Sequence, residues 1–475
     1  MEVRVLNNIS REDRARVVAT AGNLSRFNGN VMECYDDHSD YEKNVKLISN
    51  IIKMGHESIC DHDYFVIALK DVSAIVEQTL IEERIASFTI KSRRNVNFKD
   101  AGYYVSDFHD EDGNLLKNND ELKNEYRKHM DYLFDSYDKL IQNGIILEDA
   151  RFVNPYSFNS NIIMGCDAHV LKDLVVKLTK TRLSKIGELK ELGNKLRDIL
   201  HTYSSYYDKK IDSEEVNDSD MIKDKLLSVI PNNGYYRVTS RVKLLDHTDN
   251  VDDVIIKTLI MKKLGCNSDY ANYVYNCYIK KGNFKYEIMR DLYNTSFNNL
   301  DNNILKSINF RFELPFSLAV LTHFTRHRTH DPVIPEFTSL TDISQYKIPP
   351  KIEEDKKLLV MFKDVFKRNI EVRDYFKKMG VRDEDLVYFL LSGNLVNVTS
   401  NIDGATLVHM LRLRLCEKAQ WEIKNNAKEM RDEVRKVSDV YSSILGPTCE
   451  IIGKCFEGRE SCGKVKALRK DSYHG

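Results

Sequence analysis

Several features are scarce in this chain of 475 residues. No run of about 18 apolar residues occurs, so no segment reads as a membrane-spanning helix. Neither sign of charge is in excess. The formal net charge is −1, which removes the broad basic field that would hold nucleic acid or an anionic membrane. There is no serine elbow, no P-loop and no dinucleotide glycine fingerprint. No nucleophile stands out, and an enzyme of this kind would leave the hard step to a cofactor. The nine cysteines form an odd set without a compact framework, which fits a reducing compartment. The opening Met-Glu-Val-Arg-Val-Leu lacks the pattern of a signal peptide. The expectation is a cytoplasmic protein of two domains, each of about 200 residues or more, because one ordinary core does not grow to this size.

What is present is an internal repeat. Val3-Arg4-Val5-Leu6-Asn7-Asn8 is echoed by Val242-Lys243-Leu244-Leu245-Asp246-His247, each reading as a strand, a polar turn and then a helix. The apolar segment from Asp71 to Ile81 has the helical look of the Pro-started segment from Pro315 to Thr325. The first ends in Glu82-Glu83-Arg84 and the second in Arg326-His327-Arg328. Two basic groups in one copy are two acids in the other, as expected if each copy keeps a different half of one shared site. Glu148-Asp149-Ala150-Arg151-Phe152 has a weaker echo in Glu384-Asp385-Leu386-Val387-Tyr388. The order is collinear. We read residues 1–204 as the first domain, 205–236 as a charged linker containing Pro231-Asn232-Asn233-Gly234, and 237–475 as the second domain. Three short strands and long helices per copy imply the α+β class.

Individual residues leave alternatives open. His56 and His62 lie in a polar turn that feeds the alternating strand Tyr64–Leu69, but their spacing is loose for a metal pair. Ser87, Ser92, Arg93 and Arg94 leave the first apolar helix and suit either a phosphate loop or a solvated basic loop. His323, His327 and His330 share the spacing of one helix face. Arg326 and Arg328 would repel a cation there, and we assign no metal. Asp403, Leu407, Met410, Arg414, Glu417 and Trp421 fall on one helical stripe, in a helix expected to run on to a Gly446-Pro447 stop. An arginine on that stripe needs a partner, either Glu417 or an anionic or hydrogen-bonding ligand. Cys449, Cys455 and Cys462 crowd the tail without CxxC spacing.

These residues carry a resemblance to the flavin-dependent thymidylate synthases (ThyX), twice over. The family hallmark reads RHRxxSxNExSxRY, preceded by a GHxSxxEH-like turn. The first copy matches it with Gly55-His56-Glu57-Ser58, Asp61-His62, Arg84, Ser87, Ser92 and Arg94, with Thr89-Ile90 for Asn-Glu and Asn95 for the final Tyr. The second keeps Arg326-His327-Arg328 and then Leu413-Arg414, Cys416 and Ala419-Gln420-Trp421-Glu422-Ile423. The tail from Gly446-Pro447-Thr448-Cys449 to Ser461-Cys462-Gly463 resembles that of some bacterial members.

In that family one subunit supplies the RHR helix end and a late arginine, and a partner supplies the GHxS turn, the SxR loop and a further arginine. The resemblance therefore implies that His56, Ser58, Arg326, His327, Arg328 and His409 bind FAD. It implies that His323, Ser92, Arg93, Arg94, Arg151 and Arg414 bind dUMP, with Arg414 catalytic as the group that polarises the pyrimidine. NADPH and methylenetetrahydrofolate are the implied co-substrates, and reductive methylation at C5 of dUMP the implied reaction. The two copies would form an intramolecular pseudo-dimer with one composite site, and two chains a homodimer equivalent to the family tetramer. Asp403-Gly404-Ala405 stands where the family has Asn-Ala-Arg, His323 where it has Gln, and Ile90 where it has Glu. Two other readings stay open: a flavoenzyme acting on another pyrimidine nucleotide, and an inactive nucleotide-binding or scaffold homologue.

Overall fold

The alternation of apolar residues along Tyr64–Ser73 and Asn309–Ser317 sets the centre of each repeat. In the first strand Phe65, Ile67 and Leu69 are buried, and in the second Phe310, Phe312, Leu314 and Phe316, the period of a strand with one face on a core. In the computed structural model, which describes residues 1–216, 221–230, 237–296 and 301–465, each becomes the second strand of a four-stranded sheet. We number the strands β1 (Glu2–Val5), β2 (Tyr64–Ser73), β3 (Ser87–Ile90), β4 (Asn159–Asp167), β5 (Lys243–His247), β6 (Asn309–Ser317), β7 (Asp331–Val333) and β8 (Leu395–Asp403). The sheets have the orders β1-β2-β4-β3 and β5-β6-β8-β7, and every pairing is antiparallel. Four strands per sheet, rather than the three expected, follow from the brevity of β3 and β7. Segments of four and three residues at a sheet edge carry too little alternation to be read. The α+β class and the repeat hold.

The helix after the second strand is the same device in both repeats. Ala74–Ile81 and Leu318–Thr325 are each buried along their whole length, the polar Glu77, Gln78, Thr322 and His323 included. Such a helix needs partners for its first N–H groups inside the protein. The Ser73 backbone N–H donates to Glu188 (2.8 Å), and the Ser317 N–H and hydroxyl donate to Glu422 (both 2.7 Å). The last strands end alike. Asp167 accepts from the Val170 N–H (2.8 Å) and starts the helix Ala168–Lys180; Asp403 accepts from the Thr406 N–H (2.9 Å) and starts Gly404–Arg414. These are side-chain caps.

The chain divides into two compact units. The first comprises Met1–Tyr236, Phe337–Ser344 and Ile348–Gly393; the second comprises Arg237–Glu336, Gln345–Lys347 and Asn394–Gly475. The first unit thus takes in the long helix of the second repeat, Lys356–Lys378, beside the equivalent helix of the first, Asn119–Gln142. His129 of one meets Asn369 of the other at 2.9 Å, and Asn369 also donates to the Phe389 carbonyl (2.8 Å). Burial holds the His129 imidazole down, to about 4. The segments after the two echo motifs then pair as antiparallel backbone: Tyr156 N–H to Leu390 O (2.7 Å), Ser392 N–H to Asn154 O (2.8 Å), and Gly393 N–H to Phe152 O (2.7 Å). A Cβ at Gly393 would lie 2.9 Å from the Phe152 carbonyl and 2.8 Å from the Phe366 ring, so the approach requires glycine.

Within 205–236, Tyr206 and Tyr207 are buried in the first unit. Tyr206 and Ser204 donate to Asp63 (2.7 and 2.5 Å), which also pairs with buried Arg14 (2.5 Å). Pro231-Asn232-Asn233-Gly234 lies outside the described residues.

Glu188 yields a testable consequence. It is fully buried, and burial pushes its carboxyl up to about 7 against the hydrogen bonds from Ser73 and the Tyr388 hydroxyl. The ordinary value is 4.5, so between these values the folded chain holds a proton that the unfolded chain has lost. Stability therefore falls as pH rises through that interval, by on the order of 3 kcal/mol from this group. Glu188→Gln removes the titration. The Tm of the wild type is expected to drop between pH 5 and pH 8 relative to that of the variant in calorimetry; parallel curves would contradict this.

Candidate functional site

The all-buried helices vary only at their exits. In the second unit Leu318–Thr325 ends at Arg326, and Arg326 and Arg328 are exposed while His327 between them is buried. The helix stops before His327 and His330, so the three histidines do not share one helix face as their spacing suggested. Pro332 lies in β7, whose extended backbone suits it. The Nε–H of Arg414 donates to His327 Nε2 (2.9 Å), and its Nη2–H donates to the His323 carbonyl (2.7 Å). A guanidinium only donates, so His327 Nε2 is an unprotonated acceptor. Burial first, then the charge of Arg414 and the nearby His409 and His330, hold this imidazole well below its ordinary range. His409 packs edge-on to His327, with ring centres 5.7 Å apart, and meets Arg412 at 3.1 Å. Burial, Arg412 and Arg414 lower it as well. Buried His330 meets Ser400 at 2.8 Å. The result is a cationic corner in which the arginines hold the charge and His327 accepts a hydrogen bond from one of them.

Arg414 is the last residue of the helix Gly404–Arg414; Trp421 begins the next, Trp421–Val437. The continuous stripe read through Glu417 to Trp421 is therefore broken. Gln420 accepts from the Glu422 and Ile423 N–H groups (2.7 and 3.0 Å) and starts a new helix. Glu417 pairs with Lys424 (2.5 Å). The glycine at 404 has a steric reason: a Cβ there would sit 2.6 Å from the Leu305 carbonyl.

In the first unit the equivalent exit is acidic. Burial pushes the Glu82 carboxyl up, opposed by the Gln78 amide (3.1 Å). Arg84 turns back to donate to the Glu82 carbonyl (2.9 Å) and to the Ile81 carbonyl. At the distance from Asp167 that separates Arg414 from Asp403, the first unit has buried Leu178.

The other predicted residues gather elsewhere in the same unit. The loop after β3 carries Ser92, whose hydroxyl accepts from the Arg94 N–H (3.3 Å). Arg93 is buried in an ion pair with Glu77 (2.7 Å), which also accepts from Ser160 (2.6 Å). Partly exposed Arg94 pairs with Glu148, and buried Arg151 donates through Nε to the Glu148 carbonyl (3.1 Å). Arg94 and Arg151 thus converge on one glutamate. The pattern of charges did not disclose Glu77 or Glu148 as the partners. The second repeat has buried Val387 at the position of Arg151. His56 and Ser58 are exposed in the turn before β2. Gly55, at φ 86°, opens that turn, and a Glu57–Lys172 pair (3.0 Å) ties it to Ala168–Lys180.

Comparison with known proteins agrees with this division. A family model described as thymidylate synthase complementing protein matches residues 5–203 and again 243–438. A flavin-dependent thymidylate synthase of Clostridium tetani is 27% identical over 257 residues, 48% of this chain and 96% of that protein. One from Pyrococcus furiosus is 30% identical over 172 residues, 32% of this chain and 67% of that protein. Among solved structures, the UMP/dUMP methylase PolB of Streptomyces cacaoi, bound with 5-Br dUMP, aligns with a TM-score of 0.35 and 17% identity over 43% of this chain and 92% of its own. One sheet order, one capping device and one family model, each found twice, make this chain a member of the thymidylate synthase complementing protein family that carries the family fold in tandem.

Proposed function

We propose that the chain is a flavin-dependent thymidylate synthase that methylates dUMP at C5, with one composite site drawing on both repeats. The observation that carries this is complementary loss. The second repeat keeps Arg326, His327, Arg328 and Arg414 where the first has Glu82, Glu83, Arg84 and Leu178. The first keeps Arg94 and Arg151, and the second has Val387 in place of Arg151. A site made from the remaining positions would present acids and apolar groups to two anionic ligands, an arrangement that Coulomb repulsion and desolvation disfavour.

The donor set suits a flavin. Exposed Arg326 and Arg328 provide charge for a diphosphate, neutral His327 and His409 can face a ring, and His56 and Ser58 stand in an exposed turn. FAD bound by these residues would supply the redox step, with NADPH as reductant and methylenetetrahydrofolate as one-carbon donor. Ser92, Arg94 and Arg151 would take the nucleotide phosphate in place of Glu148, and Arg93 would fix the loop through Glu77. His323 would serve the nucleotide from beneath Arg414. Two hydrogen bonds orient the Arg414 guanidinium, so its charge is preorganised toward a pyrimidine ring gaining negative charge and needs no rearrangement as the ring reacts.

Two variants separate these roles. Arg94→Ala removes a charge-assisted contact of about 1.5–3 kcal/mol, so dUMP affinity is expected to fall roughly ten- to a hundredfold. Arg414→Ala is expected to cut kcat more than it weakens dUMP binding, as for a contact strengthened in the transition state. Steady-state kinetics with methylenetetrahydrofolate and NADPH, calorimetric binding and a melting curve read all three quantities. Unchanged kcat in folded Arg414→Ala would remove the catalytic assignment.

Assembly follows from the same reading. Two tandem copies per chain need two chains to match a four-copy body. Light scattering is expected to give twice the chain mass of 55.2 kDa; a monomer at micromolar concentration would count against it.

A further inference from the structure

The tail beyond the family match has a defined path and almost no core. After Leu445, no described residue up to 465 is a buried hydrophobic one. The regular structure there is one turn of helix, Thr448–Ile451, and one short 3-10 turn, Gly458–Glu460. The path is set by left-handed turns at Gly453, Gly458 and Gly463 (φ 65°, 53° and 81°). The ion pairs that tie it down, Lys464–Glu450 (2.6 Å), Lys418–Glu460 (3.3 Å), Lys464–Glu417 (3.7 Å) and Arg431–Glu450 (3.9 Å), are all solvent-accessible, and such pairs contribute at most about 1 kcal/mol each. A segment that cannot bury apolar surface needs a cross-link to hold one path.

The turns lead three tail thiols back to the body. Cys449, Cys455 and Cys462 line one cavity of about 20 Å³ together with Cys416, which lies in the turn between the Arg414 and Trp421 helices. Such a volume admits one water-sized occupant. Cys416 and Cys462 lie close enough to Cys449 to act on its thiol electrostatically. All four are free thiols. Among the described residues, no three metal-ligating side chains are gathered in coordination geometry; the four thiols share the lining of one cavity, Cys416 from the body and three from the tail.

We propose that Cys416, Cys449, Cys455 and Cys462 form a structural site for one divalent soft cation, Zn²⁺ by its chemistry, that pins the tail beside Arg414. A structural zinc site takes four thiolates, and such a site holds folding free energy in small coreless segments. Binding deprotonates each thiol and releases its proton to solvent, with no change of oxidation state. This site is independent of the flavin and nucleotide assignments.

The full chain, stripped with a chelator and titrated with Co²⁺, tests it. The expected result is one Co²⁺ per chain, with the sulfur-to-metal and d–d absorption of a tetrahedral thiolate centre, displaced by equimolar Zn²⁺. Cys455→Ser with Cys462→Ser is expected to abolish that spectrum without lowering the melting temperature of the main transition, whereas Cys277→Ser should leave it intact. Trypsin is expected to cut at Lys454 and Arg459 at least tenfold faster without metal. Failure to bind Co²⁺ with all nine thiols reactive would overturn the proposal, and so would a Cys416–Cys449 or Cys455–Cys462 disulfide in the protein as isolated.

Discussion

A helix buried on every side can exist only if its first N–H groups are met from inside the protein, and here a buried glutamate takes the N–H of the capping serine in each repeat while backbone carbonyls take the Ile75 and Leu318 N–H groups. Glu188 receives the Ser73 amide and Glu422 the Ser317 amide. That contact joins the second strand, the helix that follows it and a later long helix into one rigid corner. It fixes where the helix begins, and the exit at the other end is where the two repeats differ. Because the helix body is packed on all faces, substitution there would open a cavity or overfill one. Its exit tolerates a reversal of charge.

The reversal has chemical consequences. At one exit Arg84 folds back onto the helix carbonyls beside Glu82, whose carboxyl burial pushes up. At the other exit Arg414 donates to a neutral His327 and to the His323 carbonyl. The guanidinium keeps its charge, and the imidazole accepts because burial and that charge keep it unprotonated. Opposite choices at one structural position give one corner suited to anions and one closed to them.

Much of this was legible in the residue order. The collinear repeat, the α+β class and the acid-for-base exchange at 82–84 and 326–328 follow from apolar runs and their end residues. Arg94 and Arg151 were legible as a pair only through the family resemblance; the Arg94–Glu148 pair that brings them together is a non-local packing fact that charge patterning does not encode. The break between Arg414 and Trp421 was missed because the stripe's apolar spacing happens to continue across it. Gln420, a weaker signal than Ser or Asp, does the capping. The pairing of Lys356–Lys378 with Asn119–Gln142 in the first unit was invisible for a different reason: each helix has an ordinary apolar stripe, and nothing local names its partner. The tail cysteines carried no spacing motif because the fourth thiol, Cys416, comes from a distant turn.

The central claim is that one functional site per chain survives from two ancestral ones. Equilibrium titration of the purified, flavin-free chain with FAD, followed by dUMP, counts sites directly. The account predicts one FAD and one dUMP per chain. Two equivalent FAD or two equivalent dUMP per chain would contradict it.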